Sequence, residues 1–199
     1  DHALELTLVL IGHSMGGAIA ARAAAAGLRR RPPLQVHATV LLDAVEGTAV
    51  EGLARTSAWL QARPAAFPTE EAAVAWSLSS GMLESEAAAR ATVLPRLRWD
   101  EATRHWVWRA EVAAASRYWK GWFDGLSELF CRLPVPKMLL LGGVERLDVA
   151  LEAAHMQGRF RLEVVPHRGH QVHEDRPREV AEACAKFLAG VQRQRATFS

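Results

Sequence analysis

The sequence has no apolar run approaching the roughly 18 residues that a membrane-crossing helix needs, so no transmembrane segment is expected. It has two cysteines, Cys131 and Cys184, without a C-x-x-C pair or a cluster. Neither a disulfide framework nor a zinc site of the usual spacing is therefore expected. Lys and Arg total 24 against 22 Asp and Glu, a formal net charge of +2. A balance this even makes no case for nucleic acid or for a membrane surface as partner. The one dense basic run, Arg29, Arg30 and Arg31, follows a helical stretch, where cations suit the negative end of the helix dipole. Repeats and low-complexity linkers are also missing. Half of the 199 residues are hydrophobic and 23% are charged, a composition that supports a folded domain with a core. The cysteine usage fits a reducing compartment, so the cytoplasm is the expected location, with the nucleus open. The chain opens on Asp1, not methionine, and enters an apolar strand almost at once. The expectation is therefore that further N-terminal sequence precedes it.

Four segments read as strands of a parallel sheet. Residues 4–11 become fully apolar toward their end, as buried strands do. Residues 36–42 end at Asp43, and 137–143 and 160–165 follow much later. Helix signals separate them. Residues 18–26 are rich in alanine with Gly27 as a stop. A final helix has Asp175 as its cap and Pro177 in its first turn. Its apolar residues Val180, Ala183, Cys184, Phe187 and Leu188 form one stripe that packs on the sheet. Strands alternating with helices imply an α/β domain. The expected organisation is a core of 1–50 and 132–199 interrupted by a helical insertion of 51–131. Within it, Thr69 caps a helix that stops near Gly81, and another runs from Glu84 to Val93. All seven tryptophans fall there, at 59, 76, 99, 106, 108, 119 and 122. They serve either as a subdomain core or as the aromatic lining of a cap over a pocket.

Gly12-His13-Ser14-Met15-Gly16 matches G-x-S-x-G. By composition alone such a match arises in roughly one chain in ten or fifteen of this size. Its placement between a strand and a helix is what gives it weight, because a sharp strand-to-helix turn lifts the serine hydroxyl above the sheet. This is the nucleophile elbow of an α/β-hydrolase fold, with Ser14 as nucleophile. The backbone N–H of Met15, at the helix N-terminus, is the expected oxyanion donor. A second donor comes, in this fold, from a loop after an earlier strand, and the sequence contains no such loop.

In this fold the order is serine, acid, histidine. His167, His170 and His173 follow the last strand, and His170, after Gly169, is best placed to reach back to Ser14. His167 reads as a loop residue and His173 as part of the helix start. His13, beside Ser14, is a candidate for the pocket wall. The acid has two candidates, Asp43 at the end of the second strand and Asp148 after the third, with Glu145 nearby; in this fold the acid often follows the later strand, which favours Asp148. Either could fix the histidine tautomer and stabilise its imidazolium. The bland reading of Asp148 is a loop carboxylate paired with Arg146.

Three stretches together resemble a known family. The elbow 10–20, the Asp43-Ala44-Val45-Glu46-Gly47-Thr48 segment and Tyr118-Trp119-Lys120-Gly121-Trp122-Phe123-Asp124-Gly125 are similar to protein phosphatase methylesterases. So are Arg146-Leu147-Asp148, Met156-Gln157-Gly158 and Gly169-His170-Gln171-Val172-His173-Glu174-Asp175. The resemblance covers nearly the whole chain. It implies an α/β-hydrolase that removes the methyl ester from the C-terminal leucine of the protein phosphatase 2A catalytic subunit, with no metal and no other cofactor required. It also implies Asp43, not Asp148, as the acid beside Ser14 and His170, and makes Trp119 and Trp122 pocket candidates. The competing expectations are a small-molecule carboxylesterase or lipase of the same fold, and a non-catalytic phosphatase binder.

Overall fold

In the computed structural model, residues 7–167 and 169–198 are described. Strand β1 (Thr7–His13) runs into helix α1 (Met15–Arg29), and β2 (Gln35–Leu42) follows. The beginning of the expected first strand, Leu4 to Leu6, lies outside the described residues. Helix α1 continues past Gly27 to Arg29. Gly27 serves close approach instead of termination: a Cβ there would lie 3.0 Å from Cδ1 of Leu34.

The long segment after β2 contains α2 (Glu46–Ala62), β3 (Ala66–Phe67), α3 (Glu70–Ser79), α4 (Glu86–Val93), β4 (Leu97–Asp100), β5 (His105–Trp108), α5 (Ser116–Phe123) and α6 (Leu126–Arg132). The chain then returns through β6 (Lys137–Leu141), α7 (Val149–Met156), β7 (Arg161–Val164), the short α8 (Val172–Asp175) and α9 (Pro177–Phe198).

The main sheet is β1-β2-β6-β7, with every neighbouring pair parallel. Successive side chains on a strand point to opposite faces, and here both faces are covered. Leu41, Leu139 and Leu141 pack with Ala18, Ala21, Phe130 and Phe160 on one side. Val40, Leu42, Met138 and Leu140 pack with Val180, Ala183, Phe187 and Val191 of α9 on the other. Cys184 and Leu188 border that second cluster, so the stripe expected on the last helix does face the sheet. β1 pairs with β2 alone among the described residues, and its Val9 and Ile11 are 38% and 49% exposed.

The inserted segment is not all helix. β3, β5 and β4 form an antiparallel sheet in which Trp99 faces Trp106 and Leu97 faces Trp108 across the strands. Phe67, Val74, Leu83, Val93 and Leu97 make its core, with Trp76, Trp106 and Trp108 packed against them. Trp59 also stacks on Trp76, with ring centroids 5.6 Å apart. Thr69 and Ser85 cap α3 and α4 by accepting from Ala72 N and Ala88 N.

Candidate active site

The elbow between β1 and α1 is built by close backbone approach. A Cβ on Gly12 would sit 2.0 Å from the Gly16 carbonyl oxygen, and one on Gly17 would sit 2.6 Å from Cβ of Ala44. Gly16 itself has nothing within 4 Å of that position, so the steric demand falls on Gly12 and Gly17. Ser14 takes φ 52°, a left-handed value that a serine adopts only when its surroundings impose it. It stands at the cap position of α1, yet its hydroxyl makes no capping bond to that helix. Among the described residues no acceptor takes the amide of Met15, which lies in the first turn where helical N–H groups have no internal partner.

The ends of adjacent strands bring the other groups alongside. The Ser14 amide donates to Leu42 O at 2.9 Å, and the Asp43 amide donates to Leu140 O at 2.8 Å. Asp43 also has a positive φ, 47°, and its side chain is 4% exposed. Its Oδ2 accepts from His170 Nδ1 at 2.6 Å. Burial pushes the Asp43 carboxyl up. The His170 hydrogen bond and the Arg146 guanidinium outweigh that and hold it below the usual carboxylate range. The His170 ring is 54% exposed, so solvent or a substrate can reach it.

His13 closes the cluster from beneath. Its Nε2 donates to the His170 carbonyl at 2.7 Å, and its ring lies 4.6 Å from that of His170 and 4.3 Å from that of His173. Burial, reinforced by the two neighbouring imidazoles, lowers its pKa to about 3, so His13 is a neutral spacer. It supports the loop that carries His170.

The two acid candidates separate by geometry. Asp148 caps α7, accepting from Leu151 N at 3.0 Å, and takes the Ser127 hydroxyl at 2.6 Å on its other oxygen. The Gly47 amide points to the same oxygen at 3.5 Å. Asp148 is thus a joint between α6, α7 and the start of α2, and Arg146 pairs with Asp43 instead. Glu145 lies 4.0 Å from Arg146 with its side chain 75% exposed.

Trp122 packs against the core cluster beside α1, and Trp119 is buried in α5. Arg22 of α1 holds that helix by donating to the carbonyls of Gly121, Trp122 and Asp124. Glu46 likewise accepts from the amides of Gly125 and Ser127 at the start of α6. Sequence reasoning assigned no role of its own to Arg22, whose partners lie about a hundred residues away, or to Glu46, whose partners lie about eighty residues away.

His167 is fully buried between Glu84, 3.2 Å from its Nδ1, and Asp175, 3.3 Å from its Nε2. Asp175 does not cap α9. Its Oδ1 accepts from the amides of Glu84 and Ser85, tying the inserted segment to the His170 loop.

His13, Asp43 and His170 each offer a ligand atom within 4.8 Å of the others. The Arg146 cation already occupies Oδ2 of Asp43, which opposes a metal ion there. A shallow depression between β7 and α9, lined by Glu163, Glu179, Glu182 and Lys186, includes none of these groups.

Comparison with known proteins agrees with this architecture. A probable protein phosphatase methylesterase 1 of Caenorhabditis elegans is 41% identical over 179 residues, which cover 89% of this chain and 48% of that protein. Protein phosphatase methylesterase 1 of Rattus norvegicus is 37% identical, covering 91% of this chain and 56% of the relative. The chain therefore spans about half the length of the curated relatives it matches. Among solved structures, E-2-(acetamidomethylene)succinate hydrolase superposes with a TM-score of 0.73 at 20% identity, over 91% of this chain and 66% of that one. Since the model of the Alpha/beta hydrolase family matches residues 1–183, over the strand-elbow-helix unit and the strands that follow it, the chain belongs to the alpha/beta hydrolase family.

Proposed function

We propose that this chain carries the serine, acid and histidine of a carboxyl methylesterase acting on the C-terminal leucine methyl ester of the protein phosphatase 2A catalytic subunit. The observation that carries the reading is the 2.6 Å hydrogen bond from His170 Nδ1 to the buried Asp43, at strand ends adjoining the strained Ser14 elbow. The relatives named protein phosphatase methylesterase support the substrate class.

In the proposed reaction His170 Nε2 takes the Ser14 proton as Oγ attacks the ester carbonyl. Asp43 holds the ring tautomer and stabilises the imidazolium. The Met15 N–H faces the oxyanion, a contact of a kind that contributes about 3–4 kcal/mol in the transition state. Methanol leaves with the proton from His170. Water, deprotonated by the same ring, then releases the leucine carboxylate and regenerates Ser14.

The test is loss of C-terminal methylation from the methylated phosphatase subunit, comparing the chain with Ser14→Ala. The expected outcome is demethylation by the first and none by the second. Equal activity in both would remove Ser14 from the mechanism. If a short aryl ester is cleaved through Ser14 while the methylated subunit is untouched, the protein substrate is wrong and the ester chemistry stands.

A further inference from the structure

Three loops meet at the site, and one guanidinium touches two of them from the third. Arg146 closes the turn after β6 and is 20% exposed. Its Nη1 donates to Asp43 Oδ2 at 2.5 Å, and its Nη2 donates to the Gly169 carbonyl, next to His170, at 3.2 Å. The Gly142 carbonyl accepts from the His167 amide at 3.1 Å, which draws the histidine loop onto β6. A Cβ at Gly142 would lie 2.4 Å from the His167 carbonyl oxygen and 3.4 Å from Arg146 Nη2, so glycine is needed there for the loops to meet.

We infer that Arg146 is a positioning residue for the proposed ester hydrolysis, clamping the acid and the histidine loop in one geometry. The inference rests on the assignment of Asp43 and His170 under the proposed function. The physical case is the cost of the alternative. Asp43 sits on a backbone with positive φ, and a single hydrogen bond to a half-exposed ring leaves that ring free to swing. A planar fork bonded to both the carboxylate and the neighbouring backbone removes that freedom, and lysine, with a point charge, cannot reproduce both contacts. The arrangement also has an electrostatic consequence. Among the described residues, the groups around Asp43 are His170, His13 and Arg146, with Glu145 beyond the guanidinium. Arg146 is the permanent cation among them; after the larger contribution of His170, it helps hold the Asp43 carboxyl below its usual range against the opposing effect of burial.

The test compares the chain with Arg146→Ala, Arg146→Gln and Arg146→Lys by two readouts. The first follows titration of the Asp43 carboxyl by carbon NMR, which needs no turnover. The second measures kcat and KM on a short aryl ester. Loss of the cation is expected to move the Asp43 titration upward in the Ala and Gln variants. It is also expected to lower kcat about tenfold or more, with KM within about twofold. Arg146→Lys keeps the titration low and recovers part of kcat. An unchanged Asp43 titration in a folded Ala or Gln variant overturns the inference, as does a raised KM with kcat intact. Should Arg146→Ala lose its cooperative melt, Arg146→Gln carries the same comparison. If the chain cleaves no ester, the proposed function fails on that count and the Asp43 titration alone decides the role of Arg146.

Discussion

The central strands and the joints above them are held by different physics. β2 and β6 are mostly apolar where they cross the core: residues 138–141 are fully buried, and both faces of the sheet are closed by aliphatic and phenylalanine side chains. At the strands' C-terminal ends the contacts turn polar. Asp175 receives two amides from the inserted segment, Asp148 joins α6 to α7, Glu46 holds the start of α6, and Arg22 holds the end of α5. Hydrocarbon contacts are non-directional and set stability, whereas the polar joints have direction and set where the inserted segment and the loops of the candidate site stand. Replacing one group at a time tests this division.

The largest effect is expected in the sheet. Leu140 is 0% exposed, and Leu140→Ala should cost about 2–5 kcal/mol, read as a lower denaturant midpoint. Next comes the joint. Asp175→Ala leaves the amides of Glu84 and Ser85 and the buried His167 without their carboxylate, at a cost of about 2 kcal/mol. Its signature should be local, with faster proteolysis around residues 80–86 at a temperature where the sheet remains intact. A global loss larger than that of Leu140→Ala would reverse the division.

The same division explains what could be read from the sequence. The strands and the strand-turn-helix unit at Ser14 were legible because each depends on a local pattern. The stripe on α9 was legible for the same reason. The small sheet in the inserted segment was not. β4 and β5 are four residues each, too short to display a period, and their tryptophans read equally well as helix-core residues. The overrun at Gly27 reflects packing against Leu34, a contact that local propensity cannot register. Arg146 was misassigned because adjacency favoured Asp148, two residues on, over Asp43, 103 residues back. Both Asp148 and Asp43 follow strands; the fold's usual order favoured Asp148, and only the family resemblance favoured Asp43. In the structure Asp148 caps α7 and meets Ser127, while Asp43 meets His170.

The smallest effect uses pH to divide the two regions. His13 has a folded pKa of about 3 against an ordinary 6.5, because burial and the neighbouring imidazoles disfavour its charge. Below pH 6.5 the unfolded chain therefore binds a proton that the folded chain refuses. Stability falls as pH drops from about 6.5, and the loss levels off near pH 3. One unit below 6.5, at pH 5.5, this amounts to about 1.4 kcal/mol. His173, lowered by its own burial, adds in the same direction. His13→Gln keeps a donor for the His170 carbonyl and removes the titration. Between pH 7.5 and 5.5 it should lose about 1 kcal/mol less than the parent chain, measured by denaturant midpoints at both pH values. Leu140→Ala, in the hydrocarbon region, should be weaker at every pH with the parent's slope unchanged. A parent-like slope in His13→Gln would mean that the pH response arises elsewhere, and the polar joints would lose their claim to it.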